Sequence, residues 1–339
     1  MFEATTRRCL LIAPLTFYSF HRTLASALEQ RGFSVDLIDE EFPANPLGKV
    51  MGKLALPLLR RTTLRGLKVR LDGRPPYDLV LIVKGRGLGK AALKYLRSRT
   101  LRIVGYNFDS FDFNPSPRDW HMLTDRYATF DIADAAQTGL PLVHLFSAVP
   151  AEAAHATRNY DISIVQRVHS DRLPYAERLL AALPPGWKPF VFLYESSRLL
   201  FLLNFLRQPR LYLRMWRYIS FRPLPYAEAM KALGTSRVTF DYAHPQQSGI
   251  TIRCFEAQSM GVAVLTNNRA AVESEIFAST TIAHFTSETS LEEMRYLMEE
   301  LGRSAPAART RSVDTFLNDL LNGHENPLDE EIVFEGESA

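Results

Sequence analysis

The sequence predicts two Rossmann-like α/β domains facing each other across a cleft, and three observations lead to it. The chain has 339 residues, more than one ordinary core organises and suited to two domains of about 150 residues each. Each half alternates short apolar runs with amphipathic stretches, the pattern of strands joined by crossover helices in a mostly parallel sheet. An alanine-rich, polar stretch from Pro150 to Asn159 separates the halves.

In the first half, Cys9–Pro14 reads as a buried strand and Phe20–Arg31 as a helix with Leu24, Ala25 and Leu28 on one face. Gly32 ends that helix and Ser34–Asp39 is the next strand. Leu79–Val83 and Leu101–Tyr106 are further strands around a helix at Lys90–Arg97, and Phe130–Ala133 and Leu142–Phe146 are expected to add two more. In the second half, strands are expected at Asp161–Gln166, Pro189–Tyr194, Arg237–Tyr242 and Ala263–Thr266. Helices are expected at Leu173–Leu183, Pro225–Leu233, Ile252–Met260, Ser290–Leu301 and Asp314–Leu321. The expected division is residues 1–155, residues 156–323 and an acidic tail at 324–339.

Composition narrows the class. A hydrophobic fraction of 46% with 23% charged residues is that of a soluble globular protein. The net charge of +3 implies no nucleic-acid partner. Two cysteines, Cys9 and Cys254, are too few for a disulfide framework or a cysteine-rich zinc site, and both fall in apolar runs. No histidine spacing or paired aspartates suggests a metal. Without about 18 uninterrupted apolar residues, the expectation is a cytoplasmic protein, at most peripheral at the inner face of a membrane.

The most informative segment runs from His244 to Asn267. It leaves a strand, turns through a polar loop containing Gly249, enters a helix and exits at Gly261 into another strand. Backbone amides at Ser248, Gly249, Ile250 and Thr251 would then sit at a helix amino end, an anion site worth about 0.3–1 kcal/mol per exposed charge and up to ~2 when partly buried. Arg253 offers a planar fork for phosphate oxygens or, alternatively, an ion pair with Glu256 or with an acid of the first domain. Glu256, about one turn further on, is placed to reach a ribose hydroxyl pair; the plainer alternative is an ordinary exposed helix carboxylate.

Through Gly249, Arg253, Phe255-Glu256-Ala257, Gly261 and Leu265-Thr266, the chain resembles the GT-B glycosyltransferases. The resemblance is to the group similar to spore-maturation and capsular or exopolysaccharide transferases. Tyr160–Val165, followed by Arg167 and Arg172, resembles the strand that opens that group's carboxyl-terminal domain. Tyr106–Ser110 resembles a strand end facing the cleft. The resemblance implies a helix-led pyrophosphate site, a ribose-binding Glu256, and a basic contribution from Arg167 or Arg172. It also implies metal-independent transfer of a sugar from a nucleotide-diphosphate donor, a substrate and not a cofactor, to a glycan or lipid-linked acceptor. One departure stands out: retaining GT-B enzymes commonly carry two glutamates separated by seven residues, and Ser248 occupies the first of those positions.

Weaker signals remain. Lys84–Lys90 follows a strand but fits neither the phosphate-loop nor the dinucleotide spacing, so a flexible basic cleft loop is expected. The loop Pro14–His21 should line the cleft, because ligands of open α/β sheets bind at strand carboxyl ends. His21 and Asp109 are the two candidate bases for an acceptor hydroxyl. Leu47–Arg70 and Arg198–Arg222 carry basic residues without acids, among apolar ones. They fit an anionic membrane surface or a polyanionic glycan; solvated helix faces are the alternative. A non-catalytic nucleotide- or glycan-binding protein of the same fold is the rival function. A nicotinamide oxidoreductase is disfavoured, since Ala13-Pro14-Leu15 stands where its glycine fingerprint belongs.

Overall fold

A computed structural model describes residues 6–15, 20–149, 157–168, 171–277 and 281–322. Most of the loop between Pro14 and His21, most of the 150–159 linker and the acidic tail lie outside them.

The first sheet comprises β1 (Arg7–Ala13), β2 (Phe33–Asp39), β3 (Tyr77–Val83), β4 (Thr100–Asn107) and β5 (Arg126–Thr129), in the order β2-β1-β3-β4-β5. All its pairings are parallel. Crossovers run through α1 (Phe20–Gln30), α2 (Pro46–Leu54), α3 (Leu56–Leu71) and α4 (Lys90–Arg97), with α5 (Ile132–Thr138) after β5. The unbroken apolar run of β1 is explained by its place: Cys9 through Ala13 are fully buried between two neighbouring strands.

The second sheet comprises β6 (Tyr160–Arg167), β7 (Pro189–Tyr194), β8 (Ile219–Ser220), β9 (Ser236–Asp241), β10 (Ala263–Thr266) and β11 (Ile282–His284), in the order β11-β10-β9-β6-β7-β8. Its pairings are parallel too. Its helices are α6 (Arg172–Ala181), α7 (Arg198–Arg207), α8 (Pro209–Met215), α9 (Tyr226–Gly234), α10 (Ile252–Ser259), α11 (Arg269–Glu273) and α12 (Leu291–Arg303). In both sheets the strand order reverses beside the first strand, which opens the crevice where such folds bind ligands.

The expected strand at Phe130–Ala133 is corrected. β5 ends at Thr129, and Asp131 caps α5 by accepting from the Asp134 amide at 3.1 Å. At Leu142–Phe146 only an isolated bridge forms, between Leu142 and Thr129. The last helix, α13 (Val313–Leu321), grouped by sequence with the second half, packs on the first sheet. Phe316, Leu317 and Leu320 are fully buried there, each contributing about 1.5–3 kcal/mol. Phe316 meets Phe20, Tyr106 and Phe146, and Arg126 donates to the Leu320 carbonyl. One apolar core accordingly runs through both halves, from β1 across Phe130 and Phe146 to Ile250 and Phe255.

Candidate active site

The carboxyl ends of the two sheets meet through the loop between β9 and α10. His244 packs edge-on against Phe113, with ring centroids 5.3 Å apart. The Ser110 hydroxyl donates to the Gln246 carbonyl at 2.6 Å, and the Gln247 side chain donates to Asp109 Oδ1 at 3.1 Å. Gly249 passes so close to Phe130 that a Cβ would lie 2.4 Å from its ring and 2.7 Å from its carbonyl oxygen; only glycine fits.

Asp131 closes this seam. Its carboxylate accepts from the Ser248 amide at 2.6 Å, the Ser248 hydroxyl at 2.7 Å and the Gly249 amide at 3.3 Å. Two amides expected to face a ligand anion are therefore satisfied by an anion of the first domain. The Ser248 hydroxyl also accepts from the Ala133 amide at 2.8 Å. Asp131 went unnoticed in the sequence because its partners are 117 and 118 residues away. The local signal was its position between a strand and a helix.

Beyond Gly249 the picture changes. The amides of Ile250 and Thr251 make no hydrogen bond to any described residue, although Ile250 is buried. Thr251 occupies the N-cap position of α10, yet its hydroxyl does not cap the helix. It donates instead to Asp241 Oδ1 at 2.5 Å. Asp241, at the end of β9, also accepts from Thr266 at 2.8 Å and from the Cys254 thiol at 3.4 Å. Burial, and next the Asp241 charge, push that thiol well above its ordinary pKa, so Cys254 stays protonated. Diverting the threonine leaves the first turn of α10 without a side-chain cap, and no acidic residue lies in that turn.

Arg253 forms the ion pair with Glu256 that was its alternative, and Glu256 is buried, not the exposed carboxylate of its plainer reading. Arg253 Nη1 lies 3.2 Å from Glu256 Oε2, and the Tyr226 hydroxyl donates to Glu256 Oε1 at 2.8 Å. The glutamate side chain is 3% exposed. Burial raises its pKa, with Arg253 and Tyr226 opposing. One oxygen of Glu256 thus meets Arg253 and the other meets Tyr226, so the carboxylate expected to grip a ribose is engaged within the second domain. Gly261, with φ at 59°, ends the segment after α10 in the left-handed conformation.

Arg167 and Arg172 stand at the end of β6 and the start of α6. Arg167 lies 5.7 Å from the Tyr194 ring and donates to the Ser196 hydroxyl at 3.3 Å. Arg172 lies 5.0 Å from the ring of Tyr242, in the loop that leads to α10. Burial and then the Arg172 charge lower the pKa of His244 in that loop.

On the opposing rim the loop after β3 is pinned, not flexible as expected. Lys84, at φ 68°, puts its ammonium 2.8 Å from Asp109 Oδ2, and Arg86 forks onto Glu41 through Nε at 2.9 Å. Asp109 therefore already holds a cation on one oxygen and Gln247 on the other. His21 is buried in the first turn of α1, and its Nδ1 has no partner among the described residues. Burial, then neighbouring Arg22, lower its pKa, which keeps the imidazole neutral near pH 7. Among the described residues no three His, Cys, Asp or Glu side chains group as a metal site.

Solved structures share this architecture. A sucrose-phosphate synthase from Thermosynechococcus elongatus superposes with TM-score 0.57 at 12% identity, over 93% of this chain and 95% of its own. A glycosyltransferase of avilamycin A biosynthesis gives 0.53 at 12% identity, over 88% and 92%. The fold is GT-B. The UDP-GlcNAc 2-epimerase of Methanocaldococcus jannaschii, in complex with UDP-GlcNAc and UDP, gives 0.54 at 12% identity over 94% and 96%. At such identities the GT-B likeness concerns architecture alone. Neither a protein-family model nor a curated protein sequence matches the chain.

Proposed function

We propose that the chain transfers a sugar from a nucleotide-diphosphate donor to a glycan or lipid-linked hydroxyl, without a metal. The observation that carries this reading is the entrance to α10. Its N-cap hydroxyl is turned away to Asp241, and the amides of Ile250 and Thr251 point to no described partner. A diphosphate supplies the acceptor oxygens these amides lack, and the helix dipole favours its charge. Arg253, oriented by Glu256, and Arg172, beside the same loop, add fixed cations that stabilise the leaving diphosphate. Of the two bases we assign the acceptor proton to His21, whose Nδ1 has no partner among the described residues, because Asp109 is engaged by Lys84 and Gln247.

The test is a panel of UDP-, GDP- and CMP-sugars read by thermal stabilisation and by release of free nucleotide. A donor at about 100 times its dissociation constant adds about 2.7 kcal/mol, a rise of several degrees in Tm. Arg172→Gln should reduce that rise for the donor that binds. The assignment fails if no nucleotide stabilises the wild type more than this variant.

A second reading is a non-catalytic nucleotide or glycan binder. Ser248, which stands where retaining relatives carry a glutamate, favours it, being locked onto Asp131. Donor binding without nucleotide release, across many acceptors, would select this reading.

A further inference from the structure

The helix α7 has two apolar stripes. One, through Phe201 and Phe205, turns inward, and Phe201 packs against Tyr212, Trp216 and Phe221. The other, Leu199, Leu202, Leu203 and Leu206, repeats at i, i+3, i+4 and i+7 and faces outward, with exposures of 67%, 51%, 44% and 67%. Leu213, 66% exposed, and Trp216, 55% exposed, continue it along α8 and the turn beyond.

Arginines surround this stripe. Arg198, Arg207, Arg210, Arg217 and Arg222 are exposed and form no ion pair among the described residues; Arg214 pairs with Glu177. No Asp or Glu occurs between Arg198 and Arg222. Arg198 and Arg217 rest on the rings of Phe221 and Tyr218, and cations of the other basic stretch are engaged likewise. Arg60 pairs with Asp119, Arg70 stacks on Phe42 and Lys68 on Tyr95.

We propose that the outer face of α7 and α8 docks on an anionic lipid bilayer. The leucines and Trp216 enter the boundary between headgroups and acyl chains, and the arginines meet lipid phosphates. Charge complementarity and the apolar stripe together select this occupant. A polyanionic glycan satisfies the arginines but offers nothing to the leucines. A second copy of the chain covers the leucines but sets the same arginines against one another. An anionic bilayer meets both.

The position also fits. Helix α7 starts four residues after β7 ends, and Ser196 in that turn accepts from Arg167 on the cleft rim. Docking here brings the cleft to the membrane surface, where a lipid-linked acceptor lies. The docking itself does not rest on the transfer reading, and its test uses no donor.

The full chain is sedimented with vesicles of phosphatidylcholine mixed with phosphatidylglycerol, and with phosphatidylcholine alone. Binding is expected only to the mixed vesicles, weakening with salt. Each arginine contributes about fivefold, so the triple variant Arg207→Gln, Arg210→Gln, Arg217→Gln should lower partitioning about 100-fold. Leu199→Gln with Leu206→Gln should lower it at least about tenfold. Trp216 emission should shift to the blue on binding, a change absent from Trp216→Phe. All these positions are exposed, and an unchanged Tm verifies that the variants fold. The proposal is overturned by failure to sediment with the mixed vesicles at low salt. Binding that both variants retain also overturns it, as does a concentration-dependent dimer lost in the leucine variant. So does retention on a sulfated polysaccharide that the leucine variant leaves intact while vesicles are ignored.

Discussion

At the carboxyl ends of the first sheet, acids and bases neutralise one another inside the domain. Lys84 meets Asp109, Arg86 meets Glu41, and the Arg86 amide donates to Glu40 at 2.8 Å. At the same ends of the second sheet, Asp241 and Glu256 are likewise engaged inside the domain, but other polar groups are directed outward or across the seam. Arg167 rests on a ring and a hydroxyl, and the α10 entrance keeps two amides without partners among the described residues. Both rims come from the same strand–loop–helix pattern. What separates them is where the loop carboxylates point. Glu40 and Glu41 stay with groups of their own domain, Asp109 adds Gln247 of the other domain to its own Lys84, and Asp131 takes the Ser248 and Gly249 amides of the other.

Asp131 is therefore where this comparison breaks with the largest effect. Asp131→Ala removes the α5 cap and all three bonds to Ser248 and Gly249. Charge-assisted bonds and a cap of this kind imply a loss of about 4 kcal/mol, measured by urea denaturation. Asp131→Asn keeps the shape and one acceptor oxygen, and should lose about half as much. Equal stability of the wild type and the alanine variant would mean that the seam is held by its other contacts, Phe130 with Gly249, Phe113 with His244, Ser110 with Gln246 and Asp109 with Gln247.

Glu40 sharpens the comparison from the other rim. It is 3% exposed, and burial raises its pKa from 4.5 to about 7, with Lys84 and the Arg86 amide opposing. A carboxyl whose folded pKa lies above its unfolded one binds its proton more tightly when folded. Its contribution to stability is complete below pH 4.5 and disappears as the pH rises through about 7. The shift corresponds to about 3 kcal/mol. Glu40→Gln should gain stability relative to the wild type by up to that amount between about pH 5 and pH 8. Parallel denaturation curves across this range would show that the rim's cations already compensate for the buried charge.

Much of this was legible in the sequence where one periodicity decided the outcome. Lys90–Arg97 is a helix as read, because Leu93 and Leu96 fall on one buried face after Gly89. The alternation of the two halves gave both sheets, since a strand buried on both sides needs an apolar run and a crossover needs a helix. What was not legible depends on contacts distant along the chain. The pattern at Asp314–Leu321 shows an amphipathic helix but not which sheet it covers; Phe316 selects the first by filling the space beside Tyr106. The α10 entrance was visible as a motif, yet its amides were not equivalent. Ser248 and Gly249 lie against Asp131, and Ile250 and Thr251 do not. Glu256 was read as open to a ribose because nothing in the sequence places Tyr226 beside it.

That last contact yields the smallest effect of the series and the finest distinction. Tyr226→Phe removes one hydroxyl and leaves Glu256 Oε1 without its donor, in a site where the carboxylate is almost wholly buried. The expected cost is about 1–2 kcal/mol. With Tyr226 gone, the Glu256 pKa should rise further, since the lost bond favoured the charged form. The destabilisation should accordingly be greater at pH 8 than at pH 5, because the ionised form is the one deprived of its donor. Denaturation at both values decides it. A loss that does not vary with pH would mean that Arg253 alone keeps Glu256 ionised, and that Tyr226 merely fills space against α10.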